Sequence, residues 1–136
     1  MKTEATLDLV PGLRAPHAAR EFTGETLAAW DVCAPDVEAV QLVVSELVTN
    51  ALRHAPESPN IKLQLLAQAG AVQVRVSDSG TGMPERQSPP DRERAIESGR
   101  GIWIVDAFTD DWGTVPDGHG GKTVWCEIPT ERLSRR

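Results

Sequence analysis

Gln41-Leu-Val-Val-Ser-Glu-Leu-Val-Thr-Asn-Ala-Leu-Arg-His-Ala55 decides how the rest of this chain is read. At about 100° per residue, Val37, Val40, Val44, Leu47, Val48, Ala51, Leu52 and Ala55 lie on one arc of a helix, and that arc can be buried. Glu46, Asn50, Arg53 and His54 gather on the other side, with Glu46 and Asn50 one turn apart. Leu42 and Val43 share that side, so it is not simply a solvated face. A carboxylate and a carboxamide one turn apart on a largely apolar helix suit a metal-plus-base or phosphate-facing edge. Taken alone, the pattern fits an ordinary surface helix better; the rest of the chain reverses that.

Pro35-Asp36 opens this helix, with Asp36 placed as N-cap, and Pro56 ends it by disfavouring helical geometry in the residue before it. Upstream, Pro16 suits the first turn of a helix running to about Trp30, with Ala19, Phe22, Leu27 and Trp30 at loose helical spacing and Arg20 and Glu21 off the stripe. Ala5 to Val10 alternates as a short strand that closes at Pro11-Gly12. Downstream, Ile61–Leu66 and Val72–Val76 alternate with period two around Ala69-Gly70-Ala71, a hairpin. The second strand runs into Ser77-Asp-Ser-Gly-Thr-Gly82. Residues 83–98 hold Pro84, Pro89 and Pro90, many charges and little apolar periodicity, the mark of a functional or mobile loop. Gly99-Arg-Gly101 precedes a short apolar helix over 102–108, then a strand over 109–115, a wide turn over 116–121 and a last strand from Lys122 to Ile128. Hairpins with helices between them predict an α+β two-layer sandwich.

A chain of 136 residues, 40% hydrophobic and 25% charged, is expected to form one globular domain over 1–136. A formal charge of −6 argues against sequence-independent nucleic-acid binding. Cys33, Cys126 and His17, His54 and His119 make no zinc spacing, so both cysteines are read as reduced structural thiols. No leader and no apolar run near the ~20 residues of a membrane span is visible, and the expected location is the cytoplasm.

The glycines carry the next argument. In Asp78-x-Gly80-x-Gly82, at a strand end, glycine lets the backbone turn and approach a ligand, and a carboxylate there can accept from an exocyclic amine such as adenine N6. An Asx-type turn is the plainer alternative. Gly99-x-Gly101 at a helix start offers free N–H groups to phosphate, or is a hinge. Gly121-x-Thr123 opens a strand or is an ordinary turn exit. Gly121-Lys122-Thr123 imitates the end of a P-loop, but Pro116 holds the required glycine position and a strand follows. Glu85 removes the third glycine of a dinucleotide fingerprint, and no Gly-x-Ser-x-Gly elbow supports a hydrolase.

Their joint order is more specific than any one of them. A Glu-x-x-x-Asn helix, Asp-x-Gly-x-Gly after a strand, a loop, Gly-x-Gly before a helix and Gly-x-Thr on a strand, over about residues 36–128, resembles the GHKL (Bergerat-fold) ATPase superfamily. The wording Ser45-Glu-Leu-Val-Thr-Asn-Ala-Leu-Arg-His-Ala55 and the leading β-α unit look most like the bacterial anti-sigma-factor serine kinases. The resemblance implies a mixed, mainly antiparallel sheet with helices on one face, and a site for ATP or ADP with Mg²⁺, held in part by Asn50. It implies Glu46 as general base, Asp78 as reader of adenine N6, Gly80 and Gly82 lining the base pocket, and Thr123 supporting it. Residues 83–98 would be the ATP lid, with Gly99 and Gly101 giving N–H groups to phosphate and Arg100 beside them. Arg53 and His54 suit phosphate or solvent alike, and Arg20 suits a partner or plain surface.

The implied partners are a small antagonist protein and a sigma factor, with a homodimer as the form the resembling kinases take. No phospho-accepting helix pair and no transducer domain accompany the motifs, so neither a complete sensor kinase nor a gyrase-like machine is expected. The competing functions are a nucleotide-dependent binding module with little phosphotransfer and a slow ATP hydrolase. The presence of Glu46 favours an enzyme.

Overall fold

The structure is a computed structural model of the chain and describes residues 3–55, 58–79, 108–116 and 121–130. The elements are β1 (Thr3–Leu9), α1 (Ala15–Ala29), α2 (Ala34–His54), β2 (Ile61–Gln68), β3 (Ala71–Asp78), β4 (Asp111–Pro116) and β5 (Lys122–Pro129). The strands form one five-stranded sheet in the order β1-β2-β3-β5-β4. All four pairings are antiparallel, so among the described residues the mixed character expected of the sheet is absent.

The helices form because each has a compatible start and an apolar stripe. Pro16 and Pro35 both lie in first turns, where a missing N–H costs nothing. Helix α1 ends in a Schellman turn: Val32 N–H reaches Leu27 C=O, Asp31 N–H reaches Ala28 C=O, and Asp31 takes the left-handed position at φ 64°. Helix α2 starts earlier than expected. Cys33, not Asp36, is its N-cap, and Asp36 sits inside the first turn, accepting from the Cys33 thiol at 3.2 Å. An acidic side chain there still suits the positive end of the helix dipole.

Helix α2 packs against both α1 and β3, which widens its buried sector. Val43, assigned from spacing to the polar side, is fully buried with Val40, Val44 and Val48, whereas Leu42 is exposed. Under the helices, Leu63 and Leu65 of β2, Val72, Val74 and Val76 of β3, and Cys126 and Ile128 of β5 complete an aliphatic core. At roughly 25 cal/mol per Å² of apolar surface, these side chains are the main stabilising contribution. The β2–β3 hairpin turns on Ala69-Gly70 alone, with Gln68 opposite Ala71 and Gly70 at φ 78°, a conformation glycine adopts without strain. In the β4–β5 pair Gly113 lies opposite Trp125, whose indole occupies the space a Cβ at 113 would need.

Burial also settles the thiols. It pushes the Cys126 thiol up to about 12, with the charge of Glu127 adding to the effect, so this group stays protonated through the neutral range. Neither Cys33 nor Cys126 is in a disulfide.

Candidate functional site

Chain order brings one end of the sheet together with the C-terminal half of α2. β2 begins at Ile61 soon after α2 ends at His54, and Ile61 lies opposite Asp78, the last residue of β3. Asp78 in turn lies opposite Lys122, the first residue of β5. Glu46 and Asn50 are half-buried on α2, next to the sector that Val43 buries, and so stand at the margin of the core. Arg53 and His54 are exposed in the last turn, where positive charge suits the helix C-terminus. Arg20 is exposed on α1; its carbonyl accepts from Gln41 Nε2 at 2.9 Å, a link between the two helices.

Among the described residues Asp78 is one of few buried polar ones, with a side chain only 4% exposed. Its Oδ2 accepts from Lys122 Nζ at 2.9 Å, and the Lys122 side chain is 34% exposed. A carboxylate this buried needs a compensating charge, and the lysine supplies it while its own head keeps contact with water.

Strand alternation sends the next residues the other way. Ser77 and Thr123 lie opposite each other on the face of the sheet turned away from the helices, their hydroxyls 2.7 Å apart. Thr123, expected to support the base pocket, is therefore not brought together with Asp78; Lys122 is. Sequence reasoning dismissed Lys122 as part of a false P-loop. Period-two alternation from Asp78 and Lys122 would have found it, had the β3–β5 pairing been known.

A second residue went unnoticed. Ser58, 4% exposed, donates its hydroxyl to Asn60 C=O at 2.6 Å and accepts the N–H of Ser79 at 2.9 Å. It thus ties the segment after α2 to the residue that follows Asp78, holding the helix end and the strand end in one arrangement. Nothing in Ser58-Pro-Asn60 marks it beforehand. Gly80, Gly82, the lid expected over 83–98, Gly99, Arg100, Gly101 and residues 102–107 of the helix expected over 102–108 lie outside the described residues.

Residues 11–128 match the family described as the Histidine kinase-like ATPase domain. The chain belongs to that family. A Histidine kinase-like ATPase domain is a nucleotide-binding domain, which accords with an acceptor carboxylate at a strand end beside a helix bearing Glu46 and Asn50. The chain is 30% identical to the anti-sigma F factor of Geobacillus stearothermophilus over 138 aligned positions, covering 93% of this chain and 92% of that protein. It is also 30% identical to the anti-sigma F factor of Clostridium botulinum (strain Eklund 17B / Type B), over 80% of this chain and 82% of the other. The crystal structure of the RsbU and RsbW domains of Rv1364c from Mycobacterium tuberculosis shares the fold, with a TM-score of 0.68 at 20% identity. That likeness covers 95% of this chain, which spans 32% of the larger one. Among the described residues, no helix is long and apolar enough to cross a membrane.

Proposed function

We propose that this Histidine kinase-like ATPase domain is an ATP-binding regulatory protein of the anti-sigma-factor type, transferring the γ-phosphate of Mg-ATP to a serine or threonine of a small antagonist protein and so controlling a sigma factor. The observation that carries this reading is the end-to-end correspondence with anti-sigma F factors, which covers nearly all of both chains.

The donor chemistry fits magnesium. Among the described residues no group of three or more His, Cys, Asp and Glu side chains is arranged to hold a metal. The carboxamide oxygen of Asn50, a half-buried residue one helical turn from Glu46, is a hard donor of the kind that holds Mg²⁺ jointly with phosphate oxygens and water. Magnesium, when bound, supplies charge neutralisation at the phosphates. Asn50 would hold it, and Asp78 would accept from adenine N6. Glu46 would take the proton of the attacking hydroxyl onto a carboxylate oxygen as that hydroxyl's oxygen bonds to the γ-phosphorus and ADP leaves. Gly80 and Gly82 would line the base, and Gly99, Arg100 and Gly101 would face the phosphates.

The test is transfer of labelled γ-phosphate to candidate antagonist proteins. Wild type labels a partner serine; Glu46→Gln binds ATP equally well and loses label transfer by about 10²–10⁴-fold. A fully active Glu46→Gln removes Glu46 from the base role. Tight Mg-ATP binding with no label transferred to any bound partner replaces the kinase reading with a binding module.

A further inference from the structure

Lys122 is the unexpected member of the site. It stands directly across from Asp78 on the neighbouring strand, its ammonium 2.9 Å from a carboxylate oxygen, and both side chains lie on the helix face of the sheet. A carboxylate alone only accepts hydrogen bonds; an ammonium only donates, through three N–H groups. Held side by side, the two present an acceptor and a donor within one hydrogen-bond length. The burial of Asp78 fixes the arrangement, because an unpaired carboxylate 4% exposed would be strongly disfavoured. A neutral base cannot replace the counter-charge, so Lys122 stays on Asp78 when a base arrives.

We propose that Lys122 is a specificity-determining residue: with Asp78 it reads the six-membered-ring edge of a purine as a donor–acceptor pair, and so admits 6-oxopurine nucleotides as well as adenine nucleotides. This rests on the reading of Asp78 as the base-contacting carboxylate. Adenine sets its N6 donor against the pair, where Asp78 accepts from it. Hypoxanthine sets an O6 acceptor at the same position, where the Lys122 ammonium, 2.9 Å from the carboxylate oxygen, donates to it. With the ammonium removed, O6 would face an acceptor and lose its partner, the kind of mismatch that a buried polar site penalises most.

The experiment is titration of ATP, ITP and purine riboside triphosphate, each with magnesium, against wild type, Lys122→Met and Lys122→Arg. Wild type binds ATP and ITP within about tenfold of each other, and Lys122→Met raises the ATP-to-ITP affinity ratio about tenfold or more over wild type. Lys122→Arg, which keeps charge and donors, leaves the ratio near the wild-type value. An unchanged or lower ratio in Lys122→Met overturns the assignment. Because the ratio compares two ligands on one protein, a general loss of stability does not imitate the effect. Should Lys122→Met fail to fold, wild type decides: ITP binding tighter than purine riboside triphosphate, which has no 6-substituent, supports a donor facing O6, and the reverse order overturns it. Failure of wild type to bind any of the three at millimolar ligand overturns the nucleotide-site reading itself, and this inference with it.

Discussion

The two faces of the sheet answer different demands, and the difference is sharpest where they are one residue apart. Ser77 and Asp78 are neighbours on β3, and Lys122 and Thr123 are neighbours on β5. The register pairs Asp78 with Lys122 beneath the helices, and Ser77 with Thr123 on the side turned away from them. On the helix face an aliphatic core runs up to the Asp78–Lys122 ion pair at the sheet end, where burial makes the charge interaction consequential. On the other face half-buried groups make small, local contacts: the Ser77–Thr123 hydroxyl pair, an Arg75 Nε bond to Gln73 Oε1 at 2.7 Å, and the Trp125 indole over Gly113. Chemistry that needs a strong, directed electrostatic contact belongs on the first face.

The largest test of this contrast is in the core. Leu65→Ala on β2 removes a fully buried side chain and should destabilise the protein by about 2–5 kcal/mol in urea unfolding, whereas Gln64→Ala, pointing the other way, should stay within about 0.5 kcal/mol. Similar losses for both would mean that the outer face is covered in solution. A second test uses Cys126. Its folded-state pKa is raised, to about 12 from an ordinary value of 9.0, so the folded state holds the proton more tightly than the unfolded chain. The stability this contributes is complete below pH 9.0 and is lost as pH rises toward about 12. Cys126→Ala should flatten the fall in melting temperature across that alkaline window. An identical fall in the variant would show that other groups set it.

What the sequence disclosed follows the same division. Helix α2, the stripe of α1 and the β2–β3 hairpin were readable because 3.6- and two-residue periodicities are local. Val43 was misassigned because helical spacing gives angles but not the number of neighbours, and α2 has two. Asp36 is a favoured capping residue, yet Pro35 already occupies the first turn, so the cap falls on Cys33. The exchange of Thr123 for Lys122 beside Asp78 depends on a register between residues 44 apart in the chain, which no local pattern encodes. Ser58 acts through a hydroxyl bridging two loops, a role with no periodic signature. Glu46 and Asn50 stand out by their spacing alone, and the structure adds that both are half-buried on α2.

The last pair of variants measures the contrast where it is narrowest. Asp78→Asn keeps the shape but removes the charge opposite Lys122, and a hydrogen bond to a charged group is worth about 1.5–3 kcal/mol. ATP affinity in calorimetry should therefore fall by about 10–100-fold. Thr123→Val, one residue from Lys122, removes half of the 2.7 Å hydroxyl pair with Ser77. Ser77 is half-buried, so water can replace the lost partner, and the cost should be about 0.5–1 kcal/mol of stability. ATP affinity should then change by no more than about twofold, because a small relaxation on the outer face leaves the Asp78–Lys122 pair in register. A loss in Thr123→Val that rivals Asp78→Asn would mean that the hydroxyl pair sets the position of the β3 and β5 ends. The two faces would then act on the base as one unit.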